Sequence, residues 1–312
     1  MLVTVRGKSV KLPDFLVVGA AKSGSSSLYY FLIQHPQIFM PTIKEPRFFN
    51  FMEQPPNYSV PDYREDKTII WRFEDYVKLF ETAKEGQIIG EGSVGYLYTY
   101  KITIEHIKSI YGEEYKKLKI IAVLRNPVDR AFSQYLFHIR GGMEKLSFEE
   151  AVDPEVIKSR IHKARGYDYI GFGMYYNQVK AYLEAFPNMR IYLSEDLKNT
   201  SILNKDLFKF LDIDNDIEID ISSTANPSGI PKNRFLVNLL LNSKINSFRS
   251  ILPMKYRVKL ASLRDNLLKK LLKKPAMDTV TRKKLINIFG NDILSLQKLI
   301  NRDLSHWLEV KN

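Results

Sequence analysis

Near its amino end the chain reads Phe15-Leu-Val-Val-Gly-Ala-Ala-Lys-Ser-Gly-Ser-Ser-Ser-Leu28. Residues 15–18 are apolar without alternation, which is typical of a parallel strand covered on both faces. Leu28, Phe31 and Leu32 recur at helical spacing, so a helix is predicted to begin near Ser25 or Ser26. A glycine-bearing loop that opens a helix directs backbone N–H groups and the positive end of the helix dipole at one point. The stretch therefore predicts a site for an anion with phosphate-like oxygens.

The lysine of this loop distinguishes it from the common nucleotide-binding loops. A nucleoside-triphosphatase P-loop reads G-x-x-x-x-G-K-[ST], with lysine directly after the second glycine. Gly19 and Gly24 keep that spacing, but Ser25 follows Gly24 and the lysine lies inside the loop, at Lys22. The glycines also fail to match the G-x-G-x-x-G pattern of dinucleotide-binding sites. The pattern thus disfavours both of these nucleotide sites while keeping the prediction of an anion site.

The composition is that of a globular protein with a sizeable core. The 312 residues are 45% hydrophobic and 26% charged, and they contain no cysteine. Disulfides, thiolate metal sites and cysteine nucleophiles are thereby excluded. No apolar run has the length of a signal peptide or of a bilayer span, which needs about 20 residues. We expect a soluble, cytoplasmic protein.

The chain is basic, with a formal net charge of +12, and the excess is concentrated in one segment. Residues 244–284 hold thirteen lysines and arginines against two aspartates. Such a segment attracts polyanions, so an anionic membrane surface, an acidic glycan and simple solvation are all compatible with it. No zinc-finger, RRM or helix-turn-helix pattern accompanies it, and nucleic acid is therefore not expected as a partner.

A second buried strand is predicted at residues 119–124, and it runs directly into Arg125-Asn126-Pro127. Asn126 is a favoured N-cap and Pro127 a favoured first helical residue, so a helix should begin there. Arg125 is then placed at the carboxyl end of a strand, where open α/β sheets bind their ligands. Ser133 follows about two turns into the same helix.

A third pattern, Lys44-Glu45-Pro46-Arg47-Phe48-Phe49, carries a carboxylate. The proline keeps Glu45 out of helical geometry, and the two phenylalanines can anchor the segment in the core. This arrangement would present Lys44 and Glu45 at a fixed place. On these residues alone, the pattern also describes an anchored surface loop with charged tips.

Alternating strands and helices predict an α/β fold with three layers around a parallel sheet. Two further strands are expected at residues 87–91 and 190–194. The chain is predicted to form a single domain, 1–312, with an α/β core at 13–235 and a helical, basic C-terminal extension at 236–312. The last helices are expected at 235–241, within 256–272, at 279–289 and at 291–307.

Together the three patterns resemble the sulfotransferases that use 3′-phosphoadenosine 5′-phosphosulfate (PAPS), above all their heparan-sulfate and bacterial carbohydrate-type branch. The family's phosphosulfate loop reads roughly Lys-x-Gly-Thr-Thr-x-Leu, and this chain has Lys22-Ser-Gly-Ser-Ser-Ser-Leu28. The family's 3′-phosphate element places Arg-[Asp/Asn]-Pro after a strand and a serine eight residues beyond the arginine, as Arg125 and Ser133 do here. The family's Lys-Glu-Pro-x-Phe-Phe is matched from Lys44 onward. The resemblance spans about residues 13–235.

The resemblance implies a role for each matched residue. Lys22 would neutralise the leaving 5′-phosphate, and Glu45 would be the general base for the acceptor. Arg125 and Ser133 would bind the 3′-phosphate. PAPS is the implied co-substrate, and no metal is expected because a sulfuryl group carries less charge than a γ-phosphoryl group. The implied donor-binding residues are Lys22, Ser23, Gly24, Ser25, Ser26, Ser27, Arg125 and Ser133, with Lys232 and Arg234 as further candidates for the 3′-phosphate.

The resemblance also implies a P-loop-like sulfotransferase acting on a hydroxyl or amine of a carbohydrate or glycolipid, including acidic ones. The heparan-type 3-O enzymes read Glu-Lys-Thr-Pro where this chain has Glu91-Gly-Ser-Val94, and the lysine missing at Gly92 argues against heparan sulfate itself. His35, His106 and His138 compete with Glu45 as bases but match no family motif. Two alternative functions are a P-loop kinase relative and a non-catalytic protein that binds polyanions through residues 244–284.

Overall fold

A five-stranded parallel sheet forms the middle layer of the protein. The computed structural model describes residues 1–57, 68–215 and 275–310, and also 217, 219, 229–232, 260, 263, 266, 267 and 270–273. An antiparallel hairpin, β1 (Leu2–Val5) and β2 (Lys8–Lys11), precedes the sheet. The sheet strands are β3 (Phe15–Gly19), β4 (Ile38–Phe39), β5 (Ile88–Gly92), β6 (Lys119–Leu124) and β7 (Met189–Leu193), in the order β4-β5-β3-β6-β7.

Helices cover both faces of this sheet. The described residues form the helices α1 (Ser25–Leu32), α2 (Phe48–Phe51), α3 (Phe73–Lys78), α4 (Gly95–Tyr98), α5 (Tyr100–Tyr111), α6 (Pro127–Arg140), α7 (Phe148–Ala151), α8 (Pro154–Arg160), α9 (Tyr175–Ala185), α10 (Thr200–Leu211) and α11 (Thr279–Ile300). A short antiparallel pair, β8 (Ile230–Pro231) with β9 (Leu272–Lys273), lies outside the main sheet.

The two faces of the sheet carry separate cores, which confirms the predicted three-layer α/β fold. Phe15 and Val17 of β3 pack with α1 and α10 on one face. Leu16 and Val18 of the same strand belong to the core that contains α5, α6 and α9 on the other face. Since both faces are covered, every residue of β3 is buried, as its unbroken apolar run predicts.

The topology places a crevice between the carboxyl ends of β3 and β6. The chain leaves β3 through α1 towards β4 on one side of the sheet, whereas it leaves β6 through α6 towards β7 on the other. Because the two connections depart in opposite directions and on opposite faces, a gap opens where neighbouring strands end. The loop with Lys22 and the turn with Arg125 form the two sides of this gap.

Helix α6 begins at the predicted residue and for the predicted reason. The Asn126 side chain accepts hydrogen bonds from the backbone N–H groups of Val128 and Asp129, and Pro127 occupies the first helical position. Asn126 also donates through its Nδ2 to the carbonyl of Trp307, 3.1 Å away. One side chain therefore caps the helix behind Arg125 and ties it to the C-terminal 3₁₀ turn Ser305–Trp307.

The C-terminal helices differ from the prediction. Helix α11 runs without interruption from Thr279 to Ile300, so the break expected between residues 289 and 291 is wrong. The helix continues through Gly290 because buried Leu285, Phe289 and Ile293 keep one apolar face at helical spacing across it. It ends at Asn301, which has a left-handed backbone, and Trp307 lies in the separate 3₁₀ turn.

The predicted helices at 235–241 and across most of 256–272 lie outside the described residues. Throughout the part of the chain that the structure describes, no helix combines the length and the apolar character required to cross a membrane.

Asn126 both caps α6 and bonds to the Trp307 carbonyl, which leads to a prediction about stability. We expect Asn126→Ala to lower the free energy of unfolding by about 2 kcal/mol, because it removes a helix cap and a buried hydrogen bond together. Asp153→Ala is the matched control, since Asp153 caps α8 with the same two-bond pattern and its side chain is 40% exposed, with a 3.7 Å ion pair to Lys284. That variant should cost about 1 kcal/mol in urea denaturation. Equal losses in the two variants would contradict a structural role for the bond to Trp307.

Candidate active site

The gap between β3 and β6 opens into a cavity of about 560 Å³. Three sequence patterns that are far apart in the chain meet there. The cavity wall includes Lys22, Gly24, Ser25 and Ser26 from the first loop, Glu45 from the second pattern, and Arg125 and Ser133 from the third. The structure thus brings together seven of the residues that the sequence analysis assigned to a single reaction.

The first loop owes its shape to two residues in the left-handed backbone region. Lys22 has φ 66° and Gly24 has φ 106°. A side chain at Gly24 would be strained by this φ and would also run into the side chain of Leu197. Gly24 is the N-cap of α1, so the first helical turn, at Ser25 and Ser26, begins at the cavity wall.

Lys22 is the central cation of the cavity. Its ammonium lies 4.5 Å from the centre of the Phe137 ring. The pKa of Lys22 is lowered to about 8, mainly by burial and also by the charges of Arg140, Lys44 and Arg125, while the charge of Glu45 opposes the shift. At neutral pH the side chain is still mainly protonated. These cations lie close enough to repel one another, so together they would attract an anion.

Arg125 connects the loop after β3 to the turn after β6. Its Nη1 donates to the backbone carbonyl of Lys22 at 3.2 Å. Ser133 lies on α6, is 5% exposed, and lines the same cavity. The arginine that follows β6 is therefore fixed beside the loop that follows β3, and both present donors to one space.

Glu45 lies across the cavity in an unusual backbone conformation. It has φ 57°, and Arg47 two residues later has φ 58°. Such values are uncommon for residues other than glycine and concentrate at functional sites. The Glu45 carboxylate is 3.7 Å from the Arg47 guanidinium, and neighbouring Lys44 donates to Ser26 Oγ in α1. The second pattern is thus joined directly to the first loop.

Some of the predicted donor-binding residues do not reach the cavity. Ser23 is 1% exposed and its N–H donates to the carbonyl of Ala20, so it faces the protein interior. Ser27, the third residue of α1, is also absent from the cavity wall. Lys232 is exposed and donates to the carbonyl of Lys270. Arg234 lies outside the described residues.

Of the three histidines that compete with Glu45, only His138 lines the cavity. His35 is 1% exposed and its ring contacts the carbonyl of Asp214 at 3.0 Å. His106 contacts the carbonyl of Phe49 through Nδ1 at 2.9 Å. Both of these rings have backbone partners and are structural.

His138 is the end of a hydrogen-bonded chain that the sequence did not reveal. Its Nδ1 is 2.8 Å from the hydroxyl of Tyr169, and that hydroxyl donates to Glu144 at 2.9 Å. Burial alone would raise the pKa of Glu144, but hydrogen bonds from Leu146 N–H and Arg160 lower it below its usual value. The carboxylate is therefore ionised and takes the single proton of Tyr169. The Tyr169 oxygen must then accept, which places the imidazole proton on Nδ1.

Comparisons with known proteins find similarity to sulfotransferases. Residues 102–234 match the family model described as a sulfotransferase domain. A crystal structure of a sulfotransferase from Alicyclobacillus acidocaldarius superimposes with a TM-score of 0.73 and 29% identity, covering 96% of this chain and 100% of that one. The predicted resemblance to the sulfotransferase family is confirmed.

Relatives with described functions match part of this sulfotransferase-like chain. The membrane-associated sulfotransferase kil1 of Dictyostelium discoideum is 35% identical over 141 residues, which are 44% of this chain and 26% of the relative. The bifunctional heparan sulfate N-deacetylase/N-sulfotransferase 4 of Mus musculus is 34% identical over 40% of this chain and 13% of the relative. Carbohydrate sulfotransferase 15 of Mus musculus is 26% identical over 47% and 32%. The chain spans less than a third of the length of each of these relatives.

The fixed proton of His138 makes a spectroscopic prediction. Burial, reinforced by the positive charge of Lys22, outweighs the attraction of Glu144 and lowers the pKa of His138 to about 4. We therefore expect nitrogen NMR to show a neutral ring, protonated on Nδ1, from about pH 5 to about pH 8. His138→Gln assigns the signal, and Tyr169→Phe should abolish the Nδ1 preference because the proton loses its acceptor. A His138 signal that titrates near the ordinary value of about 6.5 would refute this picture.

Proposed function

We propose that the protein transfers a sulfuryl group from PAPS to a hydroxyl or amine of a carbohydrate or glycolipid acceptor. The observation that carries this proposal is the convergence of Lys22, Arg125, Ser133 and Glu45 on one cavity. The names of two relatives, a carbohydrate sulfotransferase and a heparan sulfate N-sulfotransferase, support a glycan as the acceptor.

The donor half of the cavity suits PAPS because it offers two sets of anion-binding groups. Lys22 and the first turn of α1 would hold the 5′-phosphosulfate. Arg125 and Ser133 would hold the 3′-phosphate, with the guanidinium forming charge-assisted hydrogen bonds. The bond from Arg125 to the Lys22 carbonyl keeps the two sets adjacent. ATP carries no 3′-phosphate, so the second set would distinguish PAPS from ATP.

When bound, PAPS would supply the sulfuryl group, with 3′,5′-ADP as the leaving group. Glu45 would accept the proton of the acceptor hydroxyl while the acceptor oxygen forms its bond to sulfur. Lys22 would neutralise the charge that collects on the 5′-phosphate as the bond between sulfur and the bridging oxygen breaks. Arg125 and Ser133 would contribute by holding the reacting groups in line.

The remaining wall of the cavity supports a sugar acceptor with acidic substituents. Tyr98 and Phe172 stack with ring centroids 4.0 Å apart and form an apolar side of the cavity. Arg47, Arg140 and Arg165 add cationic groups to the same wall. The lysine of the heparan-type 3-O enzymes is missing at Gly92, which pairs with Val17 in the sheet, so heparan sulfate itself is not proposed as the acceptor.

Three predictions from the sequence are kept as part of this proposal. They are a single domain over residues 1–312, a metal-independent reaction and a cytoplasmic location. One relative is described as membrane-associated. The basic segment at 244–284, most of which lies outside the described residues, is kept as a candidate contact for an acidic acceptor or a membrane surface.

A kinetic experiment tests the assigned catalytic roles. Purified protein should release 3′,5′-ADP from PAPS when a glycan or glycolipid acceptor is present. We expect Lys22→Ala and Glu45→Gln each to lower kcat by about 100-fold or more, since one loses charge stabilisation and the other proton transfer. Lys101→Ala, which changes an exposed lysine on α5, is the control and should keep full activity.

The outcome separates the proposal from its alternatives. Full turnover in both variants would contradict the roles of Lys22 and Glu45. Tighter binding of ATP with Mg²⁺ than of 3′,5′-ADP would favour a kinase relative. Binding of an anionic polymer with no affinity for 3′,5′-ADP would favour a non-catalytic polyanion-binding protein.

A binding experiment tests the 3′-phosphate site. Arg125→Ala should weaken 3′,5′-ADP by about 10- to 100-fold, the loss expected when charge-assisted hydrogen bonds are removed. The same variant should lose clearly less affinity for 5′-AMP, because 5′-AMP lacks the 3′-phosphate and is affected only through the support that Arg125 gives to the Lys22 loop. Calorimetry with both nucleotides provides the comparison. An equal loss of affinity for the two would place Arg125 at another part of the donor.

A further inference from the structure

Glu91 is a fully buried carboxylate to which the proposed reaction gives no role. It lies near the carboxyl end of β5, is 0% exposed, and does not line the cavity. A buried carboxylate is retained in a core only when hydrogen bonds compensate for its lost hydration. The groups that supply those bonds show what the side chain holds in place.

Three hydroxyl groups donate to Glu91. Ser93 Oγ is 2.6 Å from Oε1, and the hydroxyls of Tyr96 and Tyr76 are 2.7 and 3.2 Å from Oε2. Each hydroxyl has a single proton, and that proton is committed to the carboxylate. The oxygen lone pairs of Ser93 and Tyr96 are thereby turned towards other donors.

The groups that donate to the Ser93 and Tyr96 oxygens belong to the segment that follows Glu45. The backbone N–H of Arg47 donates to Ser93 Oγ at 2.9 Å, and the N–H of Phe49 donates to the Tyr96 hydroxyl at 3.3 Å. The third hydroxyl donor, Tyr76, stacks its ring on Phe48 with centroids 4.2 Å apart. Each partner of Glu91 therefore contacts one of residues 47–49.

Residues 45–49 need contacts of this kind, here called the anchor, to hold their backbone in place. Glu45 and Arg47 both have positive φ values, 57° and 58°, which their own side chains do not favour. Residues keep such conformations only where the surroundings determine them. The two N–H bonds fix the backbone directly after Glu45, and Ser93 is itself tied to β3 by its N–H bond to the Val17 carbonyl at 3.1 Å.

We propose that Glu91 is a positioning residue for the general base: through Ser93 and Tyr96 it fixes residues 45–49 and so the place of the Glu45 carboxylate opposite Lys22. This inference rests on the proposed function for the role of Glu45. It assigns Glu91 no contact with either substrate.

The anchor depends on the charge state of Glu91. The pKa of Glu91 is raised to about 7: burial and, to a lesser extent, the charge of Glu45 raise it, and the hydroxyl bonds from Ser93, Tyr96 and Tyr76 oppose the rise. The other titratable groups that face it are Tyr111 and Tyr182. Below about pH 7 the protonated carboxyl becomes a donor and competes with the two N–H groups for hydroxyl oxygens. The anchor is complete only in the carboxylate form.

The test compares Glu91→Gln with wild type in kinetics and in amide exchange. We expect kcat to fall by about 10- to 100-fold because the base is misplaced, while the Kd for 3′,5′-ADP stays the same. The acid limb of the kcat profile near pH 7 should disappear, since glutamine does not titrate. Protection of the Arg47 and Phe49 amides against hydrogen exchange should drop by about 10-fold or more.

Variants that keep Glu91 test the inference independently if Glu91→Gln fails to fold. Ser93→Ala and Tyr96→Phe each remove one bond to the segment and should lower kcat in the same way. Tyr192→Phe is the matched control, because it removes a buried hydroxyl that donates to Asp206 at 2.8 Å on the opposite face of the sheet. It should lower thermal stability and leave kcat unchanged.

The readouts distinguish the possible failures. Unchanged kcat and unchanged protection of the two amides in folded Glu91→Gln would overturn the inference. A wild-type protein that binds 3′,5′-ADP but sulfates no acceptor would contradict the proposed function. The amide-exchange comparison would then still decide whether Glu91 fixes the segment.

Discussion

The hydrogen bond from Arg125 to the carbonyl of Lys22 is the contact that holds the two halves of the proposed donor site together. It joins the loop after β3 to the turn after β6, where the connections of these two neighbouring strands depart in opposite directions. Neither loop alone can hold a ligand with two separated phosphates. The cap formed by Asn126 fixes the helix behind Arg125, and its bond to the Trp307 carbonyl extends this support to the C-terminal turn.

The charges of the cavity are arranged for a ligand and not for stability. Burial disfavours the charged form of Lys22, and the nearby charges of Arg140, Lys44 and Arg125 repel it. Together, and against the opposing charge of Glu45, these effects lower the pKa of Lys22 to about 8. A cluster of this kind destabilises the protein until an anion neutralises it, so binding and folding are coupled through these side chains. Glu45 is the single carboxylate among the assigned residues on the wall, and its attraction to Lys22 offsets only part of the repulsion.

The sequence predicts features that depend on neighbouring residues and misses those that depend on distant ones. The strand, loop and helix around Lys22, and the cap at Asn126, follow from local patterns, and the structure has them where predicted. The inward direction of Ser23 follows from the positive φ of Lys22 and Gly24, which composition does not reveal. The chain from His138 through Tyr169 to Glu144 joins three separate segments, and no motif spans it. Gly290 interrupts the sequence pattern, but tertiary packing on both sides of it continues the helix.

The way Glu45 is held explains why its anchor lies elsewhere in the core. A base that receives a proton needs its oxygens accessible, so hydrogen bonds made directly to the carboxylate would occupy the lone pairs that the reaction uses. The structure restrains the backbone instead, through N–H bonds at Arg47 and Phe49 to hydroxyls that Glu91 orients. The ion pair between Glu45 and Arg47 is long at 3.7 Å. A second carboxylate, buried and away from the cavity, can therefore fix the position of the first without competing for its proton.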